Sequence, residues 1–504
     1  METLSRDYLE RHQGLLPVLT VGPLEPAPER VIQFGEGNFL RGFVEWLFHE
    51  IIRRGLFNGR IVVVQPLREG LVERLNAQQG VYTLLRRGLR GGRPVEEADI
   101  ITVVSRGINP FTHFGEFIEC ARNPDLRFMV SNTTEAGIVY QPVLLPEGEC
   151  PATFPAKAAL FLHERYKAFA GAADKGLIIL PCELIERNGA VLRECVLRHA
   201  ADWRLEPGFR EWIERNNRFC DTLVDRIVPG HPSDEMPALA AKLGYLDPML
   251  VASELFHLWV IGDDPAARTE LPFTQAGLNV IWAESLAPYR TLKVRILNGL
   301  HTTFSIPAFL SGMNTVLDGL NDSLIDRFIM KALDEEIIPS LDVPEETAKA
   351  YAAQVLERFR NPFIKHRLLS IASNSVSKYR VRVLPTVLRF MEKKRAVPPA
   401  LTLALAALIS FYQGKRDSAR TSVGSRLGVP YPIADEPEVL DFFAQRDELF
   451  TADSERLCRE TLSRAAFWGL DLARLEGFLP AVIQQFEMLE NHGVRQAMRQ
   501  VVGP

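Results

Sequence analysis

The stretch from residue 29 to residue 64 constrains the fold more than any other part of this chain. Residues 30–34 (Arg-Val-Ile-Gln-Phe) form a short apolar run that ends in Gly35-Glu36-Gly37, and residues 38–52 carry apolar side chains at helical spacing. Residues 60–64 (Arg-Ile-Val-Val-Val) then read as a second strand, parallel to the first, which closes a strand, glycine turn, helix, strand unit. Glycines at such a turn allow backbone N–H groups and the positive end of a helix to approach a pyrophosphate. Leu40 stands where G-x-G-x-x-G has its third glycine, with Gly42 two residues later, so a plain tight turn is the competing reading. Phe34, Gly35, Gly37, Asn38 and Phe39 are the candidate cofactor contacts. Arg41 either adds charge near the phosphate or substrate or forms a surface ion pair.

Residues 127–130 and 176–180 are further short apolar strands, and the loops after such strands are where open parallel sheets bind ligands. Residues 81–85 and 99–105 flank a glycine-rich stretch at 88–92 and suggest a hairpin-like insertion. From about residue 290 helical periodicity dominates, with long segments near 323–338, 345–360, 399–412 and 455–500. A chain of 504 residues exceeds what one hydrophobic core serves. The expected architecture is an α/β domain over residues 1–289 followed by a mainly α-helical domain over 290–504. The net charge of −5 offers no general attraction for nucleic acid or an anionic membrane. The longest apolar run, residues 401–412, is too short to span a bilayer, and the N-terminus lacks the pattern of a secretory leader. The six cysteines show neither a Cys-x-x-Cys pair nor metal-finger spacing, which fits reduced thiols in a cytoplasmic protein with no metal site.

The chemistry is concentrated in residues 293–301, where Lys293, Asn298 and His301 lie in a largely apolar run. At about 100° per residue, Asn298 lies roughly 140° and His301 roughly 80° around a helix axis from Lys293, so the three can share one face. A buried lysine there would have its pKa lowered by desolvation towards the range where it exchanges a proton with an alcohol. Asn298 could donate to a developing alkoxide and His301 could orient a neighbouring hydroxyl. A half-exposed helix with one satisfied histidine is the plainer alternative.

The remaining candidates lie on loops. After the second strand come Gln65, Pro66, Leu67, Arg68 and Glu69; a carboxylate at this place accepts a ribose 2′-hydroxyl, whereas arginine favours a 2′-phosphate. Asn132 and Glu135 follow the strand at 127–130 and could contact nicotinamide or ribose, or cap a helix. Asn188, before Gly189, is either a second amide donor or a turn residue, and Asp225 binds a substrate hydroxyl or pairs with Arg226. Between 365 and 382 lie Lys365, His366, Arg367, Lys378, Arg380 and Arg382, which form a solvated charged face or a site for a carboxylate.

Taken together, residues 32–41, 131–138, 180–189, 222–227, 293–301 and 361–378 resemble, in order, the motifs of the mannitol dehydrogenase family of long-chain polyol dehydrogenases. The resemblance implies a Rossmann-type N-terminal domain, a helical C-terminal domain and an active site between them without a metal. It also implies NAD-linked interconversion of D-tagaturonate and D-altronate in hexuronate catabolism, with a sugar acid as the small-molecule partner. Carried over by position, Lys293 is the general acid/base, Asn188 and Asn298 form the oxyanion hole, and His301 orients the substrate. Asp225 and Lys378 contact its hydroxyls or carboxylate. Two positions depart from the family pattern. Ser370 stands where mannitol-type members carry an arginine, which speaks against a neutral polyol and leaves His366, Arg380 and Arg382 as candidates for the carboxylate partner. Arg68 stands where a glutamate is expected, which leaves NADP open beside NAD. A fructuronate or other polyol dehydrogenase, a sugar-acid epimerase that keeps NAD bound, and a sugar-acid-binding regulator are the alternative readings.

Overall fold

The computed structural model describes residues 1–12, 18–133, 137–145 and 148–503. The chain divides into two compact units, Met1–Leu286 and Ala287–Pro504.

The first unit is organised by a six-stranded, all-parallel sheet. In chain order its strands are β1 (Glu29–Phe34), β2 (Arg60–Val64), β3 (Val104–Ile108), β4 (Phe128–Ser131), β5 (Ile178–Pro181) and β6 (Arg218–Phe219). They are arranged β3-β2-β1-β4-β5-β6, the order of a doubly wound dinucleotide-binding sheet, with the reversal between β1 and β4. Both faces of the sheet are covered, which explains why its central strands are largely apolar rather than alternating with polar residues. Val31, Ile61, Val63, Phe128, Val130, Ile178 and Leu180 enter one core. Ile32, Phe34, Val62, Val64, Met129 and Ile179 enter the other.

Two local expectations are corrected. The helix after the glycine turn is broken into Asn38–Arg41 and Val44–Arg53. At the break, Tyr82 Oη donates to the Arg41 carbonyl at 2.8 Å and Arg226 Nη1 to the Gly42 carbonyl at 2.8 Å, drawing both out of a helical ladder. The run 99–105 is likewise two strands. Arg93–Ile101 pairs with Tyr82–Arg90 around a tight turn at Gly91 and Gly92, whose φ values of 59° and 75° suit a two-residue hairpin. The Thr102 carbonyl then accepts from Arg6 Nη2 at 2.8 Å and from Arg60 Nη1, and the chain passes into β3. The strand before Asn132 is therefore the fourth of the sheet in chain order.

The second unit is mainly helical. Pro399–Phe411 is its central helix, apolar on nearly every side and packed against Gly299–Leu310 and Phe478–His492. Proline at its start costs no hydrogen bond. A three-stranded antiparallel sheet, Gly414–Ser418, Thr421–Arg426 and Val429–Ala434, was not expected; its sequence signal is the Leu427-Gly428 turn, with φ of 53° and 80°. Among the described residues no helix is long and apolar enough to cross a membrane.

The first N–H groups of the central helix are met from another element. The buried carboxyl of Glu336 accepts from Ala400 and Leu401 N–H at 2.7 and 2.9 Å. Burial outweighs these bonds and raises the Glu336 pKa from its ordinary 4.5 to about 7. The folded chain then holds this proton more tightly than the unfolded one, so the stability it contributes is present at low pH and is lost as pH rises from about 4.5 through about 7. Glu336→Gln should remove that slope: the melting temperature of the variant relative to the parent should climb between pH 5 and pH 7. A constant difference across this window would show that Glu336 does not titrate there.

Candidate active site

The reversal of strand order brings the end of β1 against the end of β4. Gly35 N–H donates to Val64 O and Asn132 N–H to Phe34 O, both at 3.0 Å. Gly35 has φ of +123°, and a Cβ there would stand 2.7 Å from the Asn132 carbonyl oxygen, so no other residue fits without moving the strands apart. Gly37 is exposed, and a Cβ on it would meet nothing within 4 Å. The result is a bare stretch of backbone at the switch point, which fits a pyrophosphate. The helix that follows has only four residues, so its N–H groups matter more here than any dipole. Asn38, exposed, and Phe39, half-buried and stacked on Phe43, flank the stretch.

The side chains of Phe34 and Arg41 are both engaged inside the protein. The Phe34 ring is fully buried among Phe117, Phe154 and Phe161. Arg41 is 2% exposed, and its guanidinium donates to the Glu36 carbonyl at 3.1 Å, to Asn38 Oδ1 at 2.8 Å and to the Met249 carbonyl. It ties the turn to the strand region behind it and is not a surface ion pair.

At the end of β2, the Gln65 amide donates to the Leu67 and Arg68 carbonyls at 2.9 and 3.0 Å and fixes the loop, with Arg68 exposed on it. Glu36, the acidic group nearest in sequence to the glycines, is buried; its carboxyl accepts from Leu71 N–H at 3.3 Å, and burial raises its pKa.

Among the described residues Asn132 caps no helix. Its Nδ2 donates to Cys182 O at 2.8 Å and links the ends of β4 and β5. Glu135 lies outside the described residues. A carboxyl that sequence reasoning missed, Glu183, is buried beside Asn132: Ser131 Oγ donates to it at 2.9 Å and Thr133 N–H at 3.1 Å, and burial raises its pKa. Asn188 is 1% exposed. Its Nδ2 donates to the carbonyls of Pro181, Glu183 and Thr222 at 2.9, 3.1 and 3.1 Å, while Oδ1 accepts from Gly189 and Thr222 N–H. With three carbonyls around its Nδ2, Asn188 locks the end of β5 to the strand Thr222–Asp225. Asp225 ends that strand, buried. Its neighbour Arg226 stacks on Trp46 and donates to the Gly42 and Glu254 carbonyls.

In the second unit Lys293–Asn298 is a π-helical turn between the helices Ala287–Leu292 and Gly299–Leu310, closed by the Gly299 N–H to Val294 O bond. The expected α-helical phase is thereby corrected. A turn closed over five residues brings position 298 back towards position 293, so Lys293 and Asn298 are better aligned than α geometry allows. Both are half-buried rather than sealed in the core.

His301, one turn further, is 5% exposed. Its ring stacks on Phe359 with centroids 4.0 Å apart, and His366 stands edge-on at 4.8 Å. Its Nε2 is buried and has no hydrogen-bond partner among the described residues. Burial first, then the charges of His366, Arg358, Arg382 and Lys378, holds its pKa well below the ordinary value, so the imidazole is neutral. Lys378 Nζ donates to Ile371 O at 2.8 Å and Ser373 Oγ at 3.3 Å. On the helix Ser375–Arg382, Lys378 and Arg382 are four residues apart and share a face. Arg380, two residues from each, is exposed on the opposite side and drops out of the cluster. Arg358 and Phe359 were missed by sequence reasoning; they end the helix Glu345–Phe359, and nothing local marks that end as part of a site.

Residues 29–275 match the model of the mannitol dehydrogenase Rossmann domain and residues 285–490 that of the mannitol dehydrogenase C-terminal domain. The chain is 41% identical to an altronate oxidoreductase of Halalkalibacterium halodurans over 94% of its own length and 93% of that protein's. It is 43% identical to one of Klebsiella pneumoniae over 94% and 96% respectively. Among solved structures, a D-sorbitol dehydrogenase in substrate-free form superposes with a TM-score of 0.80 at 23% identity, covering 98% of this chain and all of that one. The Pseudomonas fluorescens mannitol 2-dehydrogenase ternary complex with NAD and D-mannitol gives 0.74 at 21%, covering 99% of each chain. With both domain models matched in order and relatives above 40% identity along nearly its whole length, this chain belongs to the mannitol dehydrogenase family.

Proposed function

We propose that this enzyme interconverts D-tagaturonate and D-altronate in the cytoplasm, as part of hexuronate catabolism. The names of its relatives support the substrate pair. The observation that carries the reading is the neutral His301, with a buried unbonded nitrogen and cationic side chains around it, one helical turn from Asn298 and about two from Lys293. Such surroundings suit a substrate that presents a carboxylate as well as a carbonyl, and they fit the loss of an arginine at Ser370.

When bound, NADH supplies the hydride to the keto carbon. The Gly35–Gly37 backbone with Asn38 would hold its pyrophosphate, and Asn132 would face the nicotinamide side. Lys293, as ammonium, gives its proton to the carbonyl oxygen, and oxidation of altronate runs back with neutral lysine as base. Asn298, whose carboxamide makes no hydrogen bond among the described residues, donates to the developing oxyanion. Asn188 acts by fixing the loop after β5. His301 orients the substrate through Nε2, Asp225 accepts from a hydroxyl, and Lys378, Arg382 and His366 favour the carboxylate.

Lys293→Ala should lower kcat for tagaturonate reduction by about a hundredfold or more, the usual share of a general acid. Turnover within a few-fold of the parent would remove Lys293 from the mechanism. Lys378→Met should raise KM for tagaturonate about tenfold more than for fructose, in keeping with a charge-assisted bond to the carboxylate; equal changes for both ketoses would remove that role. Gly35→Ala should weaken NADH binding by about tenfold or more, because strain of this kind costs about 1–3 kcal/mol at the seat itself. Calorimetric titration with NADH checks this, and unchanged affinity would move the seat elsewhere.

A further inference from the structure

The loop after β2 presents a cation where the mechanism needs none. Arg68 is exposed, and among the described residues its guanidinium makes no hydrogen bond and no ion pair; the guanidinium carbon lies 5.0 Å from the Phe111 ring centroid. The ammonium of Lys157 lies 4.7 Å from the same centroid. Lys157 is fully buried on the helix Phe154–Ala168 and donates to Ala152 O at 2.8 Å. Phe111 itself follows β3, the neighbour of β2 in the sheet, and the Asn109 side chain donates to the Arg68 carbonyl at 3.4 Å. The three residues are thus fixed together from the ends of β2 and β3 and from the helix behind them.

Two like charges against one aromatic ring repel each other, and burial adds to that cost. Lys157 has its pKa lowered to about 8 by burial and by Arg68. An anion placed beside them would be stabilised, and the position defines which anion. In a sheet of this strand order the end of the second strand faces the adenosine ribose, where a carboxylate accepts a 2′-hydroxyl and an arginine receives a 2′-phosphate. At the glycine turn the Glu36 carboxyl is buried and turned to Leu71, and the exposed carboxylate on this loop is that of Glu69, one residue beyond Arg68. A planar guanidinium suits a phosphate better than an ammonium does, and the buried ammonium behind the ring adds positive potential without contact.

We propose that Arg68, backed by Phe111 and Lys157, forms a seat for the 2′-phosphate of NADP(H), so that this enzyme accepts NADPH as well as NADH. This rests on the dinucleotide seat at Gly35 and not on the identity of the sugar acid.

The test is calorimetric titration of the intact chain with 2′,5′-ADP and with 5′-AMP, which differ only in the 2′-phosphate. The expected result is at least tenfold tighter binding of 2′,5′-ADP, a preference that disappears in Arg68→Glu and shrinks in Lys157→Met, with NADPH oxidation by tagaturonate as a second readout. Equal affinity for the two nucleotides, or a preference that survives Arg68→Glu, overturns the inference and leaves the reading of the reaction intact. Failure of either nucleotide to bind would overturn both this inference and the seat at Gly35.

Discussion

The close approach of two backbones at Gly35 and Asn132 is what the rest of the N-terminal unit depends on. A residue with a side chain at position 35 would push its Cβ to 2.7 Å from a carbonyl oxygen, so glycine alone lets β1 and β4 end side by side. From that point hydrogen bonds run outward through Val64, Phe34, Ser131 and Cys182, so that four strand ends are held in one line. The open ground above them is a consequence of this packing, because neighbouring loops diverge where the strand order reverses. Asn132, Glu183 and Asn188 extend the same line through side chains, which is why their polar groups are engaged with backbone and turned away from solvent.

The C-terminal unit solves a different problem, which is to keep an imidazole neutral and a set of cations close to it. Burial against Phe359 disfavours the imidazolium, and each nearby positive charge disfavours it further. The cost of this arrangement is offset by the large apolar core around the helix Pro399–Phe411. The π-helical turn before His301 belongs to the same design. An inserted residue in a helical turn is an expense that proteins retain at sites where a side chain has to be re-aimed. Here the side chains re-aimed are Lys293 and Asn298.

Much of this was legible in the residues. The strand, glycine turn and strand at 29–64 depend on local preferences, and the double coverage of the sheet shows in runs such as Ile61-Val62-Val63-Val64, buried on both faces. The hairpin follows from two adjacent glycines. The set Lys293, Asn298 and His301 and the cationic residues beyond 365 were visible as residue types in an order that matches the family. The side-chain directions were not visible. Phe34, Arg41 and Asn188 stand in motif positions, yet their partners are Phe161, Met249 and Thr222, far along the chain. Arg380 and Arg382 look alike in sequence, and only the packing of their helix sets one in the cluster and the other in water.

By itself, then, the sequence determined the elements, the strand type and the family, because these follow from spacing, from backbone preferences and from motifs repeated in order. Only the tertiary structure decided which polar atoms remain available for chemistry. That question depends on long-range partners: a carboxamide such as that of Asn188 is engaged by carbonyls brought to it from the ends of two strands, whereas that of Asn298 is left open by a widened helical turn. It is likewise the meeting of Arg68, Phe111 and Lys157, which lie on three separate elements, that turns an isolated arginine into a site.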